Sequence, residues 1–316
     1  VAIGYEVCYR IGEAVTPSHY YYWHNTATCG TFGAAAAVAK LLRLNEEQII
    51  HTLGNAGTQA AGLWEFIEDG AMSKQLHPAK AAYNGVISAV LAEKGFTAAR
   101  KILEGDRGFF QAMSEEPDAG KVTDQLGKTF KIMENSFKIH ASCRHTHAVV
   151  DLVLDYIREG VKADDLKEIR IQTYKIALDI TDNPAPNTVY AAKFSIQYCA
   201  ALAFTLGSAS LSDFNEDHLF HPDVRHLMEK VHVSVSDKME AAYPKDWGAI
   251  VEILLADGRR RSKETRGPKG DPENPVSAGE LKQKFSRLAL PVLGKQTEAA
   301  IERILNLEND RVVSFM

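Results

Sequence analysis

The sequence predicts a mainly α protein with an inserted α+β domain, and three features of its 316 residues carry that prediction. From residue 5 to about 103 the pattern is helical, punctuated by Gly, Asn and Thr rather than by strand-type turns. Short β-type runs then gather in the middle of the chain. Helix-opening signals return after the loop Gly267-Pro268-Lys269-Gly270-Asp271-Pro272. The expected organisation is a large helical domain of residues 1–134 and 266–316, with residues 135–265 as a smaller α+β lid domain.

The elements follow in order. Small-residue runs at 34–37, 56–61 and 79–82 let helix backbones approach closely, within the bundle and across a subunit interface. Asn45 is placed to cap a helix opened by Glu46, Glu47 and Gln48, and Pro78 suits a first helical turn. Gly95 closes that helix and Thr97 opens another. Strand patterns fall at 130–133, 168–174, 231–235 and 249–255, and Asp257-Gly258 is a hairpin signal leading into 259–263. Helices are expected at 147–157, 191–206 and 222–230. Ser277-Ala278-Gly279-Glu280 forms a capping box, and 297–305 makes a final helix.

Composition removes several classes of function. There are 36 Lys plus Arg against 41 Asp plus Glu, giving a net charge of -5. Without a basic stripe there is no electrostatic attraction to nucleic acid or to an anionic membrane surface. No run reaches the roughly 20 apolar residues needed to cross a bilayer, so a soluble protein is expected. Cys8, Cys29, Cys143 and Cys199 form no CxxC pair, which points to a reducing compartment and hence to the cytoplasm. Templates for a nucleophile elbow, a phosphate loop, a dinucleotide fingerprint and a zinc-protease helix are all absent.

Three segments could carry chemistry. His24 lies in the aromatic stretch of residues 19–30, ahead of a helix N-terminus that favours an anion; its alternative is an ordinary surface histidine. Lys74 and His77 stand just before the helix started by Pro78, where a solvated lysine and a capping histidine are the plain reading; Lys80 reads as solvent-facing. The densest cluster is Lys138-Ile139-His140-Ala141-Ser142-Cys143-Arg144-His145-Thr146-His147. Its spacing matches no usual structural zinc pattern, so no metal is expected. Arg144 suits a two-point grip on a carboxylate, with Lys138 as a point charge. Cys143 is alternatively a small buried apolar group. Glu6, Arg10 and Glu13 read as a salt-bridged face, and His218, His221, His226 and His232 as surface groups.

These residues are also parts of longer matches. The runs Trp23-His24-Asn25-Thr26, Gly30-Thr31-Phe32-Gly33, Met72-Ser73-Lys74-Gln75-Leu76-His77-Pro78-Ala79-Lys80, Leu91-Ala92-Glu93-Lys94-Gly95-Phe96-Thr97, Cys143-Arg144-His145-Thr146-His147 and Gly270-Asp271-Pro272-Glu273-Asn274-Pro275, in that order, resemble the MmgE/PrpD family. That family contains 2-methylcitrate dehydratase, cis-aconitate decarboxylase and iminodisuccinate epimerase. The resemblance implies a helical domain with an α+β lid, usually in a homodimer, and a cleft that uses neither metal nor organic cofactor. It matches His24 to a cleft histidine, although Asn25 stands where the family motif has proline. Lys74 and His77 match a Lys-x-Leu-His motif, Lys138 matches a cleft lysine, and Tyr174 lies near a site tyrosine. Cys143 falls where the decarboxylase branch has a histidine, which speaks against decarboxylation. Family members carry a stretch ahead of the position of Val1 with an Asp-rich motif and a histidine. The chain therefore reads as a shortened form of an enzyme or as a member that does not turn over substrate.

The implied activity is dehydration of a small polycarboxylate of the 2-methylcitrate or citrate type. His24 would be the base or acid, Lys74 and Lys138 the clamp on carboxylates, and His77, Arg144, Cys143 and Tyr174 the substrate-binding or positioning groups. Epimerisation of an amino- or imino-dicarboxylate, decarboxylation of a cis-aconitate-type acid, and a catalytically silent binding protein are the alternatives.

Overall fold

The structure is a computed structural model that describes residues 1–309; residues 310–316, the end of the segment expected to return to the helical domain, lie outside the described residues. The fold is mainly α with one small four-stranded mixed sheet. By proximity the residues group into two units, Val1–Asn135 and one that starts at Ser136. Among the described residues no helix is long and apolar enough to cross a membrane.

The first unit is built on α1 (Ala2–Val15), α2 (Asn25–Leu41), α3 (Glu46–Gly57) and α4 (Leu76–Glu93). Asn45 caps α3 as expected: its side chain accepts from Gln48 N at 2.9 Å, and the Gln48 side chain accepts from Asn45 N at 3.1 Å. The small residues decide how α2 packs. Gly30 faces Ala81, while a Cβ on Gly85 would come within 2.5 Å of Ala34 Cβ and 2.6 Å of Ala35 N. These contacts advance in the same sense along both helices, so α2 and α4 run parallel and their N-termini lie side by side. On another face of α2, a Cβ on Gly33 would meet the Gly4 carbonyl oxygen at 2.5 Å, so α1 is equally close. Ile11, Val15, Phe32, Ala35, Phe109 and Phe110 fill the core between them.

Glu6 and Arg10 are paired as expected, but inside the unit. Arg10 is 2% exposed; its Nε donates to Glu6 Oε1 at 2.6 Å, and its other nitrogens donate to the Thr129 carbonyl at 3.1 Å and to the carbonyl of Asp124. Burial would raise the Glu6 carboxyl, but Arg10 and the Lys131 N–H outweigh it and hold the pKa below its usual value. The pair thereby fastens the 121–131 loop to α1. That use of the backbone N–H explains why 130–133 is not a strand: Lys131–Glu134 forms a 3₁₀ turn bound to Glu6. The helix expected from Thr97 is also absent. Ala98 and Ala99 pack instead against Gly54, and Ala98 N donates to His51 Nδ1 at 3.1 Å.

In the second unit α5 (His147–Arg158) and α6 (Ile196–Leu206) back a sheet of β1 (Leu166–Thr173), β2 (Val231–Val235), β3 (Ala249–Leu255) and β4 (Arg260–Thr265). The order is β2-β1-β3-β4, with β1 and β2 parallel and the other pairs antiparallel; Ile169 faces Val231, and Ile171 faces Val251. Strict alternation buries Ala249, Val251, Ile253 and Leu255, which places β3 against the helices. Asp257-Gly258 turns the β3–β4 hairpin, with Gly258 at φ +88°. The long helix expected over 191–206 is split, since Ser195 Oγ accepts from Tyr198 N at 3.0 Å and starts α6 afresh. After β4 the chain passes through a loop into α7 (Ala278–Leu293) and α8 (Thr297–Leu305). Phe137 N donates to the Gly270 carbonyl at 2.8 Å and Lys269 N to Asp151 Oδ2 at 2.7 Å, so this loop bonds to residues of the second unit.

Two substitutions test this packing by urea denaturation. Gly85→Val is expected to cost about 1–3 kcal/mol by overpacking α2 against α4. Arg10→Met is expected to cost about 3–5 kcal/mol by leaving the Glu6 carboxylate buried and unpaired. Unchanged midpoints in both would contradict the close approach and the buried pair.

Candidate functional site

The parallel packing of α2 and α4 brings two histidines together. His24 is the N-cap residue of α2; its N–H donates to the Gly62 carbonyl at 3.0 Å, and the neighbouring Trp23 bridges Leu63. His24 makes no capping bond with its side chain. Its Nδ1 instead lies 2.9 Å from Nδ1 of His77, in the first turn of α4. One ring must donate and the other accept, so the two cannot both be protonated in this geometry and at least one imidazole is neutral. Burial, then the Lys74 ammonium, lowers the His77 pKa below 6.5. Lys74 is half-buried on the 3₁₀ turn Met72–Gln75 that leads into α4.

Aromatic rings enclose the pair. Trp64 meets the His24 ring edge-on at 4.8 Å, and Phe66 meets the His77 ring at 5.5 Å. Trp64 Nε1 is buried without a hydrogen-bond partner among the described residues. A Cβ on Gly62 would come within 2.4 Å of Ala27 Cβ and 3.3 Å of His77 Nε2, so a bare α-carbon is needed there. Neither Trp64 nor Gly62 belongs to a pattern that sequence reasoning picked out. Lys80, by contrast, is exposed as expected, with its Nζ 5.1 Å from the Tyr83 ring centroid.

The 138–147 segment distributes its ionisable groups differently. His140 Nε2 lies 2.8 Å from Asp151 Oδ1, and His145 Nδ1 lies 2.7 Å from the Tyr174 hydroxyl. His147 Nε2 faces the Ser142 carbonyl at 3.4 Å, and its Nδ1 is buried without a partner among the described residues. Among the described residues no three His, Cys, Asp or Glu side chains gather as a metal-binding group. Arg144 ion-pairs with Asp271, donates to Ser136 Oγ at 3.1 Å and lies 5.5 Å from the Trp247 ring centroid. Its fork is thus engaged within the protein on one side, while Nη1 is buried without a partner among the described residues. Cys143 is buried, its N–H donating to the Lys193 carbonyl at 2.8 Å. Tyr174 is buried, stacked on Tyr243 at 4.5 Å and set edge-on to Trp247 at 6.1 Å. Lys138 is exposed, and its carbonyl accepts from Lys284 Nζ. Of the residues picked out from sequence, His24, Lys74 and His77 therefore share one locality in the first unit. Arg144 and Tyr174 meet around Trp247 in the second.

The chain belongs to the MmgE/PrpD family. The family's N-terminal domain matches residues 1–121 and its C-terminal domain residues 140–309. Among curated proteins it is 27% identical to a cis-aconitate decarboxylase-like protein, oryM, of Aspergillus oryzae, over 99% of this chain and 68% of that protein. It is 27% identical to a cis-aconitate decarboxylase of Aspergillus terreus, over 96% of this chain and 66% of the relative. A mitochondrial 2-methylcitrate dehydratase of Yarrowia lipolytica is 26% identical, over 89% of this chain and 56% of the relative. The chain thus spans about two thirds or less of the length of these relatives.

Acid sensitivity follows from the buried imidazoles. Burial first, then the His140, Lys138 and Arg144 charges, holds the His147 pKa well below 6.5; burial also lowers His19, and His77 is lowered as described. In the unfolded chain these groups titrate near 6.5. Below that value the unfolded state binds more protons than the folded one, so stability falls as pH falls from about 6.5 towards the folded values, and is level above it. The melting temperature should drop between about pH 6.5 and 5, and His147→Gln should flatten that slope. An equal slope in the variant would remove His147 from the account.

Proposed function

We propose that this family member is a lyase acting without a metal or organic cofactor on a small hydroxy-polycarboxylate, dehydrating a 2-methylcitrate- or citrate-like acid. The observation that supports this most is the His24–His77 pair at 2.9 Å beside Lys74, at the adjoining N-termini of α2 and α4. A neutral imidazole in this pair removes the proton α to a substrate carboxylate. The electron pair moves into that carboxylate as an enolate and then expels the β-hydroxyl, which takes up a proton and leaves as water. Lys74 and the two helix N-termini offset the negative charge as it develops. Trp64 Nε1, a donor with no partner among the described residues, suits a substrate oxygen. Lys138 and Arg144 are assigned to the remaining carboxylates, and Cys143 and Tyr174 to substrate contact. The same reading takes the working form as a cytoplasmic homodimer.

Decarboxylation of a cis-aconitate-type acid is the second reading, favoured by the Aspergillus relatives, which are named for that activity. There the C–C bond to a carboxylate breaks, carbon dioxide leaves, and the electron pair left on carbon takes up a proton, so the histidine pair acts as acid rather than as base. Cys143, standing where the resemblance places a histidine of the decarboxylase branch, favours dehydration.

Incubation of the purified protein with 2-methylcitrate and with cis-aconitate separates them. Dehydration gives a rise in the ultraviolet absorbance of an unsaturated acid, and decarboxylation gives carbon dioxide. His24→Ala and Lys138→Ala should each lower turnover about 100-fold or more with the melting temperature retained. Near-normal rates in both variants would discard the assignment. No product from any hydroxy-polycarboxylate or cis-aconitate would discard the lyase.

A further inference from the structure

The turn at 270–275 lies outside the groups assigned above, yet it grips the backbone that carries Lys138. Gly270 sits at φ +105°, in the left-handed region that favours glycine, and accepts a hydrogen bond from Phe137 N at 2.8 Å. A Cβ there would overlap the Phe137 carbonyl oxygen and lie 3.0 Å from the carbonyl carbon. The turn is closed by Gly270 N on the Asn274 carbonyl at 2.8 Å and by Asn274 N on the Asp271 carbonyl at 3.0 Å. One carboxylate then joins both flanks of Lys138: Asp271 Oδ1 accepts from Ser136 Oγ at 2.6 Å and ion-pairs with Arg144. Asp151 adds a second tie, since it accepts from Lys269 N and lies beside His140. Lys284, from α7, donates to the carbonyl of Lys138 itself.

Taking the lyase reading as its basis, we propose that Asp271 is a positioning residue for Lys138: by binding Ser136 and Arg144 together it fixes the intervening backbone and so aims the ammonium that meets a substrate carboxylate. Lys138 is exposed and stands on irregular backbone. A lysine has roughly 2 kcal/mol of rotamer entropy, so an anchored stem matters to where its charge resides. A cation already fixed in place holds the carboxylate it meets without losing that freedom on binding.

Two measurements test this, one of them independent of turnover. After reductive ¹³C-methylation, the Lys138 signal is assigned by its loss in Lys138→Arg. It should be dispersed from the bulk lysine signals and should move to the bulk position in Asp271→Ala, with Asp271→Asn, which keeps an acceptor but loses the charge, in between. Ser136→Ala removes one of the two ties and should shift the signal in the same direction if Asp271→Ala does not fold. In turnover, Asp271→Ala should lower kcat/KM about 10- to 100-fold, and should cost less in a Lys138→Ala background than in the wild type. A Lys138 signal unmoved by these variants overturns the proposal, and so does an additive loss in the double variant. Wild-type protein that turns over no polycarboxylate overturns the lyase reading instead, and the ¹³C signal still decides whether Asp271 positions Lys138.

Discussion

The close parallel approach of α2 and α4 is the constraint on which the first unit depends. Gly30 against Ala81 and Ala34 against Gly85 bring the backbones nearer than branched side chains would allow. Because the helices run in the same direction, both N-termini end in one place, and the residues that open them, His24 and His77, come within hydrogen-bond distance. Two positive dipole ends and Lys74 then disfavour a second proton on the pair and favour an anion beside it. Acid–base capacity and charge compensation thus share a cause in backbone packing.

The second unit resolves a different problem. Its 138–147 segment holds three imidazoles, a thiol and two cations, a composition that could serve a metal, an anion or a core. The fold disperses these groups by giving them separate neighbours: Asp151 for His140, Tyr174 for His145, the Ser142 carbonyl for His147, and Asp271 for Arg144. A largely desolvated guanidinium without a counter-charge would be costly, so the acidic turn that meets the half-buried Arg144 is part of what makes the segment foldable. Burial also keeps His147 neutral at ordinary pH, and a neutral ring can pack inside α5.

Local patterns that match one element's period were legible. The alternating runs at 231–235 and 249–255 became β2 and β3, and the boxes at Asn45 and Ser277 capped α3 and α7. Expectations that ignored long-range partners were not met. The 130–133 run had a strand-like pattern, but its N–H is taken by Glu6, and the Thr97 segment is drawn into turns by Gly54 and His51. Trp64 and Gly62 could not be read as site residues, because their meaning comes from the bridge between Trp23 and Leu63.

The amino-acid order alone determined the family, the mainly helical class, the helix caps and the short list of His, Lys and Arg residues, since each rests on residue identity or on spacing within one segment. Tertiary structure alone decided which of those residues meet. His24 and His77 are 53 positions apart and Arg144 and Asp271 are 127 apart, so their pairing is set by where helices cross and loops return. Protonation followed the same division, because solvent exclusion and neighbouring charge belong to the folded surroundings and not to the residue.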